Sequence, residues 1–319
     1  MRRGLVPAAL ACALPLHAQE LTLTPPLDCD PAAACYIQQY VDTDPGPGAR
    51  DFTCGSLSYD GHKGTDFALP SRAMMEEGVD VVAAAPGLVR ATRDGMADRT
   101  AGSGAGSDVT GRECGNGVVL DHGGGWETQY CHMKLGSIAV VEGAAVTAGQ
   151  RLGQVGLSGQ TAFPHVHLSV RRDGEVVDPF APGGEARCGG PADETLWSDP
   201  PAYRPGGIIA AGFSDAVPDY DAIKAGTAAR DLGPDAPVVL WAYLFGARAG
   251  DVLKLSLAGA GGPILVQDVT LDRTQAQLFR AVGKRAPQGG WPRGRVTGTA
   301  TLLRDGRPVD QMEVDSALD

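Results

Sequence analysis

Short runs of β-branched and aliphatic residues, separated by glycine turns, recur along the chain and restrict what it can fold into. Such runs include Val79 to Ala85, Gly117 to Asp121, Glu127 to His132 and Val166 to Arg171. No helical period persists between 51 and 179, and the 45 glycines and 23 prolines suit tight reversals between short strands. The sequence therefore predicts an all-β fold.

Length and strand spacing divide the predicted fold into parts. A chain of 319 residues can bury more than one core. The glycine-punctuated rhythm of 141–156 is typical of lipoyl-like hairpin sandwiches, and seven candidate strands in the last ~110 residues favour a smaller C-terminal immunoglobulin-like β-sandwich. The predicted parts, with order beginning near Asp51, are a signal peptide (1–18), an irregular N-terminal arm (19–50), a β-sheet groove domain (51–180), a linker (181–206) and the β-sandwich (207–319).

The N-terminus has the pattern of a secretory signal. Arg2 and Arg3 precede a short apolar run, and Ala18 is a small residue suited to a cleavage site. A lipoprotein site at Cys12 is the rival interpretation, but Ala9 stands where leucine is usual. We therefore expect an exported protein, periplasmic or secreted, with no integral membrane segment, since no later apolar run is long enough.

The cysteine count agrees with export. Removal of the signal peptide takes Cys12 and leaves six cysteines, an even set suited to an oxidising compartment. Six cysteines allow 15 pairings, so spacing alone does not decide among them. We predict Cys114–Cys131 across a hairpin, Cys29–Cys35 around a short loop and, by elimination, Cys54–Cys188.

The net charge argues against one class of binding partner. The formal net charge is -11, which gives no basic surface for a nucleic acid and argues against one as a partner. An acidic surface leaves other substrate classes open.

Histidines and one aspartate supply the chemistry that the pattern suggests. Residues two apart in a strand share a face, so His165 and His167 are expected side by side. His62, Asp66 and His167 together offer two imidazoles and one carboxylate, the three-ligand set of a hydrolytic zinc site with a fourth position open for water. His132 and His165 then remain as catalytic groups for the proton and the oxyanion. Gly64 is expected to let the backbone bend between His62 and Asp66.

Four separated motifs resemble one family in order and spacing. They are Gly61-His62-Lys63-Gly64-Thr65-Asp66, Asp121-His122-Gly123-Gly124-Gly125, Tyr130-Cys131-His132 and Pro164-His165-Val166-His167. Over 51–180 the chain resembles the lysostaphin and LytM type zinc endopeptidases. Phe163, Val166 and Ser169 depart from the usual pattern beside the ligands and bear on substrate fit.

The resemblance implies a function and assigns roles. It implies one Zn²⁺ per chain bound by His62, Asp66 and His167, catalytic roles for His132 and His165, and cleavage of peptidoglycan stem peptides at either glycine-rich bridges or direct cross-links. Export with disulfides favours a periplasmic enzyme for direct cross-links. The alternatives are a wall-binding or hydrolase-activator protein that retains the zinc site, and a peptidase for proteins. A wall or protein partner for the C-terminal domain is a further expectation.

Other conspicuous residues have structural interpretations. His122 is expected to cap a hairpin, and Tyr130 to pack near the groove with a hydroxyl that could assist the oxyanion. The alternating Trp241, Tyr243 and Phe245 are expected in the core rather than on a glycan-binding face. The loop between Arg93 and Gly115 is expected to form a groove wall.

Overall fold

The structure is a computed structural model that describes residues 21–29, 35–99, 109–184, 186, 188 and 194–318. The predicted signal peptide, Cys12 and the glycine-rich part of the 93–115 loop lie outside the described residues. Within the described part, no helix is long and apolar enough to cross a membrane.

Strands dominate the first half of the chain, as predicted, with one short helix. Helix α1 (Arg72–Glu77) begins after Ser71, whose Oγ accepts a hydrogen bond from the Met74 amide. The strands are β1 (Tyr36–Gln39), β2 (Thr65–Ala68), β3 (Asp80–Val82), β4 (Gly87–Arg93), β5 (Asn116–Gly123), β6 (Trp126–Met133), β7 (Ala145–Val146), β8 (Arg151–Gln154), β9 (His165–Arg172) and β10 (Glu175–Val177).

One eight-stranded sheet carries the predicted site residues. Its order is β1-β2-β9-β6-β5-β4-β7, with β10 also paired to β9, while β3 and β8 form a separate ribbon. Strand β2 is antiparallel to β9, with Asp66 opposite His167 and Ala68 opposite His165. Because directly opposed residues in an antiparallel pair share a face, this register brings Asp66 and His167 together.

The N-terminal arm is a part of the sheet, so the expectation that order begins near Asp51 is wrong. Strand β1 pairs antiparallel with β2 at the edge of the sheet. Tyr36 and Tyr40 are buried in the same core as the sheet. The short segment Tyr-Ile-Gln-Gln has no alternating pattern of its own, and its order comes from neighbours distant in sequence.

All seven predicted C-terminal strands are present. Helix α2 (Tyr220–Ala225) lies between the first and the second of them. The strands are β11 (Gly207–Ser214), β12 (Val238–Ala247), β13 (Val252–Gly259), β14 (Gly262–Thr270), β15 (Gln275–Lys284), β16 (Gly294–Arg304) and β17 (Arg307–Leu318). They form sheets of order β11-β12-β15 and β14-β13-β16-β17 that share one apolar core. The immunoglobulin-like type and the domain boundaries stay predictions.

Strand β12 is buried on both faces. Leu240, Ala242 and Leu244 face the core between the two C-terminal sheets. The alternate residues Trp241, Tyr243 and Phe245 belong to the core of the first domain. The aromatic row is therefore core, as predicted, and it packs against the first domain rather than inside the sandwich.

The segment predicted as a linker packs against the first domain. Trp197 is buried, and the Tyr203 hydroxyl donates to Asp51 Oδ2 over 2.8 Å. The three predicted disulfides, Cys29–Cys35, Cys54–Cys188 and Cys114–Cys131, are all formed. Cys54–Cys188 joins this segment to the start of the first domain.

Candidate metal centre

Three side chains converge on one point of the sheet. Asp66 Oδ1 lies 3.2 Å from His62 Nε2 and 2.8 Å from His167 Nδ1, and the two imidazole nitrogens are 3.1 Å apart. Among the described residues they form a group whose ligand atoms all lie within 4.8 Å of one another. Two imidazoles and a carboxylate with lone pairs aimed at a common point are a donor set that fits zinc with one open position.

A backbone carbonyl orients His62. This residue lies in the turn before β2, and its Nδ1 donates a hydrogen bond to Tyr40 O over 2.7 Å in a buried position. In the neutral ring Nδ1 therefore carries the proton, and Nε2 keeps its lone pair for a metal ion.

A side chain orients His167. Its Nε2 lies 3.1 Å from Ser169 Oγ, and Ser169 Oγ donates to Lys63 O over 2.8 Å. Since the serine proton is used on Lys63 O, Ser169 accepts from the Nε2–H of His167, which leaves Nδ1 unprotonated toward Asp66. Ser169, which departs from the family pattern, thus holds the tautomer that the site needs.

Gly64 is needed for space. A Cβ at this position would lie 2.5 Å from His167 Nε2 and 2.7 Å from Leu168 O, and the φ of Gly64 is not in the left-handed region. The chain bends at Gly64, as predicted. Close packing of the His62–Asp66 loop against β9 is a second reason why this position needs glycine.

His165 and His132 border this group. His165 Nε2 is 3.5 Å from Asp66 Oδ1, and the ring centroids of His132 and His165 are 4.7 Å apart. His132 Nδ1 donates to Ser158 O over 2.8 Å, and His165 Nδ1 donates to Phe163 O over 3.0 Å. With Nδ1 as the donor, the neutral tautomer of each ring keeps its lone pair on Nε2.

Backbone strain brings His132 to the site. Strict alternation along β6 would place it on the face of Tyr130, which is buried in the core. The φ of His132 is 63°, a left-handed value, and it breaks the alternation at the end of the strand. The sequence carries no signal for this turn beyond the motif itself.

The region that carries the site matches a known family. Residues 60–179 match the family model for Peptidase family M23. These residues form an M23 peptidase domain.

Curated relatives are similar to part of this chain. Residues of this chain are 32% identical over 117 positions to "Peptidoglycan DD-endopeptidase ShyA" of Vibrio cholerae, covering 37% of this chain and 22% of that protein. "DD-carboxypeptidase/endopeptidase Mpg" of Neisseria meningitidis is 32% identical over 107 residues, 34% of this chain and 22% of the relative. The chain thus matches about a fifth of the length of these relatives.

Solved structures are similar to part of this chain as well. "Crystal structure of a zinc containing peptidase from vibrio cholerae" has 23% identity and a TM-score of 0.34, covering 50% of this chain and 39% of that one. The catalytic domain of the peptidase lysostaphin from Staphylococcus simulans has 23% identity and a TM-score of 0.27, covering 37% of this chain and 76% of that one.

Electrostatics in the M23 domain favour an ionised Asp66. Burial acts to raise the pKa of Asp66, but the positive charges that His165 and His62 carry when protonated outweigh burial and hold the pKa well below its ordinary value. Burial, with smaller effects from His165 and His167, lowers the pKa of His132 to about 3. The centre therefore presents a carboxylate beside neutral His132.

Two conspicuous residues of the M23 domain serve the structure. His122 Nδ1 donates to Pro86 O over 2.6 Å and Nε2 lies 2.8 Å from Thr128 Oγ1, in agreement with its predicted structural role. The Tyr130 hydroxyl accepts a hydrogen bond from the Ala84 amide over 2.8 Å inside the core. The expectation that Tyr130 assists an oxyanion is wrong, because its ring points away from the site.

Sequence reasoning missed the partners that orient the imidazoles. Tyr40, Ser158 and Phe163 act through backbone carbonyls, which any residue type carries. Ser169 departs from the family pattern, and this departure is the one signal in the sequence for its contact with His167.

Proposed function

We propose that the chain is an exported zinc metalloendopeptidase that hydrolyses peptide cross-links in bacterial peptidoglycan. The observation that carries the proposal is the convergence of His62, Asp66 and His167 within an M23 peptidase domain. Two aligned relatives are named for DD-endopeptidase activity, one of them with peptidoglycan in its name, which supports direct cross-links as the substrate.

His62, Asp66 and His167 would hold the zinc ion. When bound, zinc supplies a Lewis acid that polarises a carbonyl and lowers the pKa of water. Asp66 contributes the negative charge, and the hydrogen bonds of Tyr40 O and Ser169 Oγ keep both ligand nitrogens unprotonated. The ligand set is thus oriented by its surroundings.

His132 and His165 would handle the proton. Each donates its Nδ1–H to a backbone carbonyl and presents an Nε2 lone pair, so each can accept a proton from water during attack on the amide. The second imidazole, beside the first, is placed to hydrogen-bond the reacting oxygen once it is protonated. The pH profiles of the two single variants assign these two roles between His132 and His165.

Two single variants separate metal binding from chemistry. For His167→Ala we expect loss of zinc and loss of muropeptide release from purified sacculi, because a ligand is gone. For His165→Ala we expect about one zinc per chain with release reduced by ~100-fold or more, because a proton-handling group is gone.

The measurements are zinc stoichiometry on the purified protein and chromatography of soluble products. Wild-type protein with well below one zinc per chain would sink the enzyme proposal. Full zinc occupancy without product release from sacculi would instead favour the activator alternative. A casein digest run in parallel tests the alternative of a protein peptidase.

A further inference from the structure

We infer that the C-terminal sandwich positions the metal ligand His62 through strand β1, so that Gln277 on β15 helps to set the affinity of the metal centre. The inference rests on the zinc assignment proposed above. It gives the C-terminal region a role inside the M23 site, in addition to any role in binding a partner.

The first step is the attachment of His62 to the segment after β1. The ring donates to Tyr40 O over 2.7 Å, and the His62 carbonyl accepts from the Asp42 amide over 2.9 Å. Asp42 Oδ2 also accepts from the Gly61 amide over 2.9 Å. The ring and the backbone of this ligand therefore both depend on the position of residues 40–42.

The second step is the position of β1 itself. It is an edge strand that pairs with β2 alone in the sheet, so one of its edges needs another support. Its continuation, Tyr40, is buried in contact with the rings of Phe52, Phe180 and Tyr203. A shift of β1 would therefore move the carbonyl that orients His62.

The third step is the support that the sandwich gives to β1. Gln38 Nε2 donates to Ala276 O over 3.0 Å, and Gln277 Nε2 donates to Gln38 Oε1 over 2.9 Å and to Tyr36 OH over 3.1 Å. The Tyr243 hydroxyl donates to Gln277 Oε1 over 2.6 Å. Both polar atoms of the Gln277 amide therefore have partners. Two of its hydrogen bonds go to β1 and one comes from β12, so Gln277 links the two strands.

An apolar contact accompanies this network. The rings of Tyr36 and Phe245 have centroids 4.7 Å apart, and Gln38 is fully buried between the two parts of the chain. A buried amide network rigidifies what it joins when every group has a partner, and loses that effect when one group is removed. The orientation of His62 and the docking of the sandwich are therefore coupled, and the coupling acts in both directions.

The experiment compares Gln277→Ala with Gln311→Ala in the full chain. Gln311 lies on β17, where its Oε1 accepts from Thr301 in an exposed position, and provides a matched control. Loss of a group that directly orients a metal-bound histidine weakens metal affinity by about 10- to 100-fold. Gln277 acts on His62 only through β1, so for Gln277→Ala we expect zinc affinity to fall by about 3- to 10-fold. The zinc dissociation constant is measured by competition with a chelator.

Melting temperatures with and without zinc separate positioning from stability. For Gln277→Ala we expect a smaller increase in melting temperature on zinc addition than for the wild type, and no such change for Gln311→Ala. Tyr36→Phe keeps the ring and removes one acceptor, so we expect a change in the same direction and of smaller size. It serves as the test if Gln277→Ala fails to fold.

The outcomes are distinguishable. If Gln277→Ala and Tyr36→Phe lower the melting temperature of the apoprotein but leave the zinc affinity within about twofold of the wild type, the network is structural and the inference is overturned alone. A wild-type protein that binds no zinc overturns the proposed function and this inference with it.

Discussion

Asp66 and Asp178 are two buried carboxylates of the same M23 domain in opposite electrical states. Their exposed fractions are 3% and 7%. The imidazoles beside Asp66 outweigh its burial and hold its pKa well below the ordinary value, whereas burial raises the pKa of Asp178 to about 7. Asp178 Oδ1 accepts from the Phe180 amide over 2.9 Å, while Oδ2 has no partner among the described residues.

The difference shows that partners decide charge when burial is equal. Removal from water favours the neutral form of any carboxyl, and only cations or hydrogen-bond donors reverse this. Asp66 has His62 and His165 beside it, which are cations when they are protonated, and Asp178 has one amide and the nearby charge of Asp51. Asp66 is therefore held as a carboxylate, and Asp178 is held as a carboxylic acid.

The largest expected effect comes from exchanging each carboxylate for its amide. For Asp66→Asn we expect zinc affinity to fall by ~100-fold or more and peptidoglycan hydrolysis by about three orders of magnitude, because several kcal/mol of charge stabilisation are lost. For Asp178→Asn we expect zinc affinity near that of the wild type. Chelator competition and product release on both variants check this, and equal losses in the two would break the comparison.

The next effect is the pH dependence of stability at Asp178. In the unfolded chain this carboxyl ionises near pH 3.8, but in the folded protein it keeps its proton to about pH 7. Between these values the folded state binds more protons, so its contribution to the free energy of unfolding falls as pH rises and stays low above pH 7.

Asp178→Asn should remove this loss. We expect the apoprotein variant to match the wild type near pH ~4 and to exceed it by roughly 1 to 3 kcal/mol near pH ~8. Urea unfolding at several pH values measures the difference between the two proteins. A difference that does not grow with pH would mean that Asp178 is ionised in the fold.

A smaller effect is expected at Ser169, which acts on Asp66 through His167. Without the hydroxyl, the proton of His167 is no longer held on Nε2, and zinc affinity should fall by about 10-fold in Ser169→Ala. Ser169→Thr retains a hydroxyl and should recover most of the affinity. Equal zinc affinities for Ser169→Ala and the wild type would show that Ser169 does not select the tautomer of His167.

The smallest effect is expected at Tyr130, on the opposite face of the sheet. In Tyr130→Phe the Ala84 amide loses its acceptor, so the free energy of unfolding should fall by about 1 to 2 kcal/mol. Hydrolysis per zinc-loaded enzyme should stay within about twofold, since the hydroxyl is remote from the site. A large loss of turnover at unchanged stability would restore a catalytic role for Tyr130.

The sequence by itself determined the elements that rest on local pattern. Glycine-separated runs of β-branched residues predicted the strands of both halves, because turns and alternating faces depend on residues that are adjacent in the sequence. The three predicted disulfides are formed, although cysteine spacing alone does not decide among the 15 possible pairings. The family motifs grouped His62, Asp66 and His167, which the register of β2 and β9 then brings together.

Tertiary structure alone decided the rest, because the causes lie far apart in the chain. Strand β1 forms because β2 and the C-terminal strands supply partners that its four residues lack. His132 reaches the site through one left-handed φ, and His62 is oriented by a carbonyl that carries no residue identity. Asp66 and Asp178 are the same residue type, and their different ionisation states arise from the neighbours that folding places around each of them.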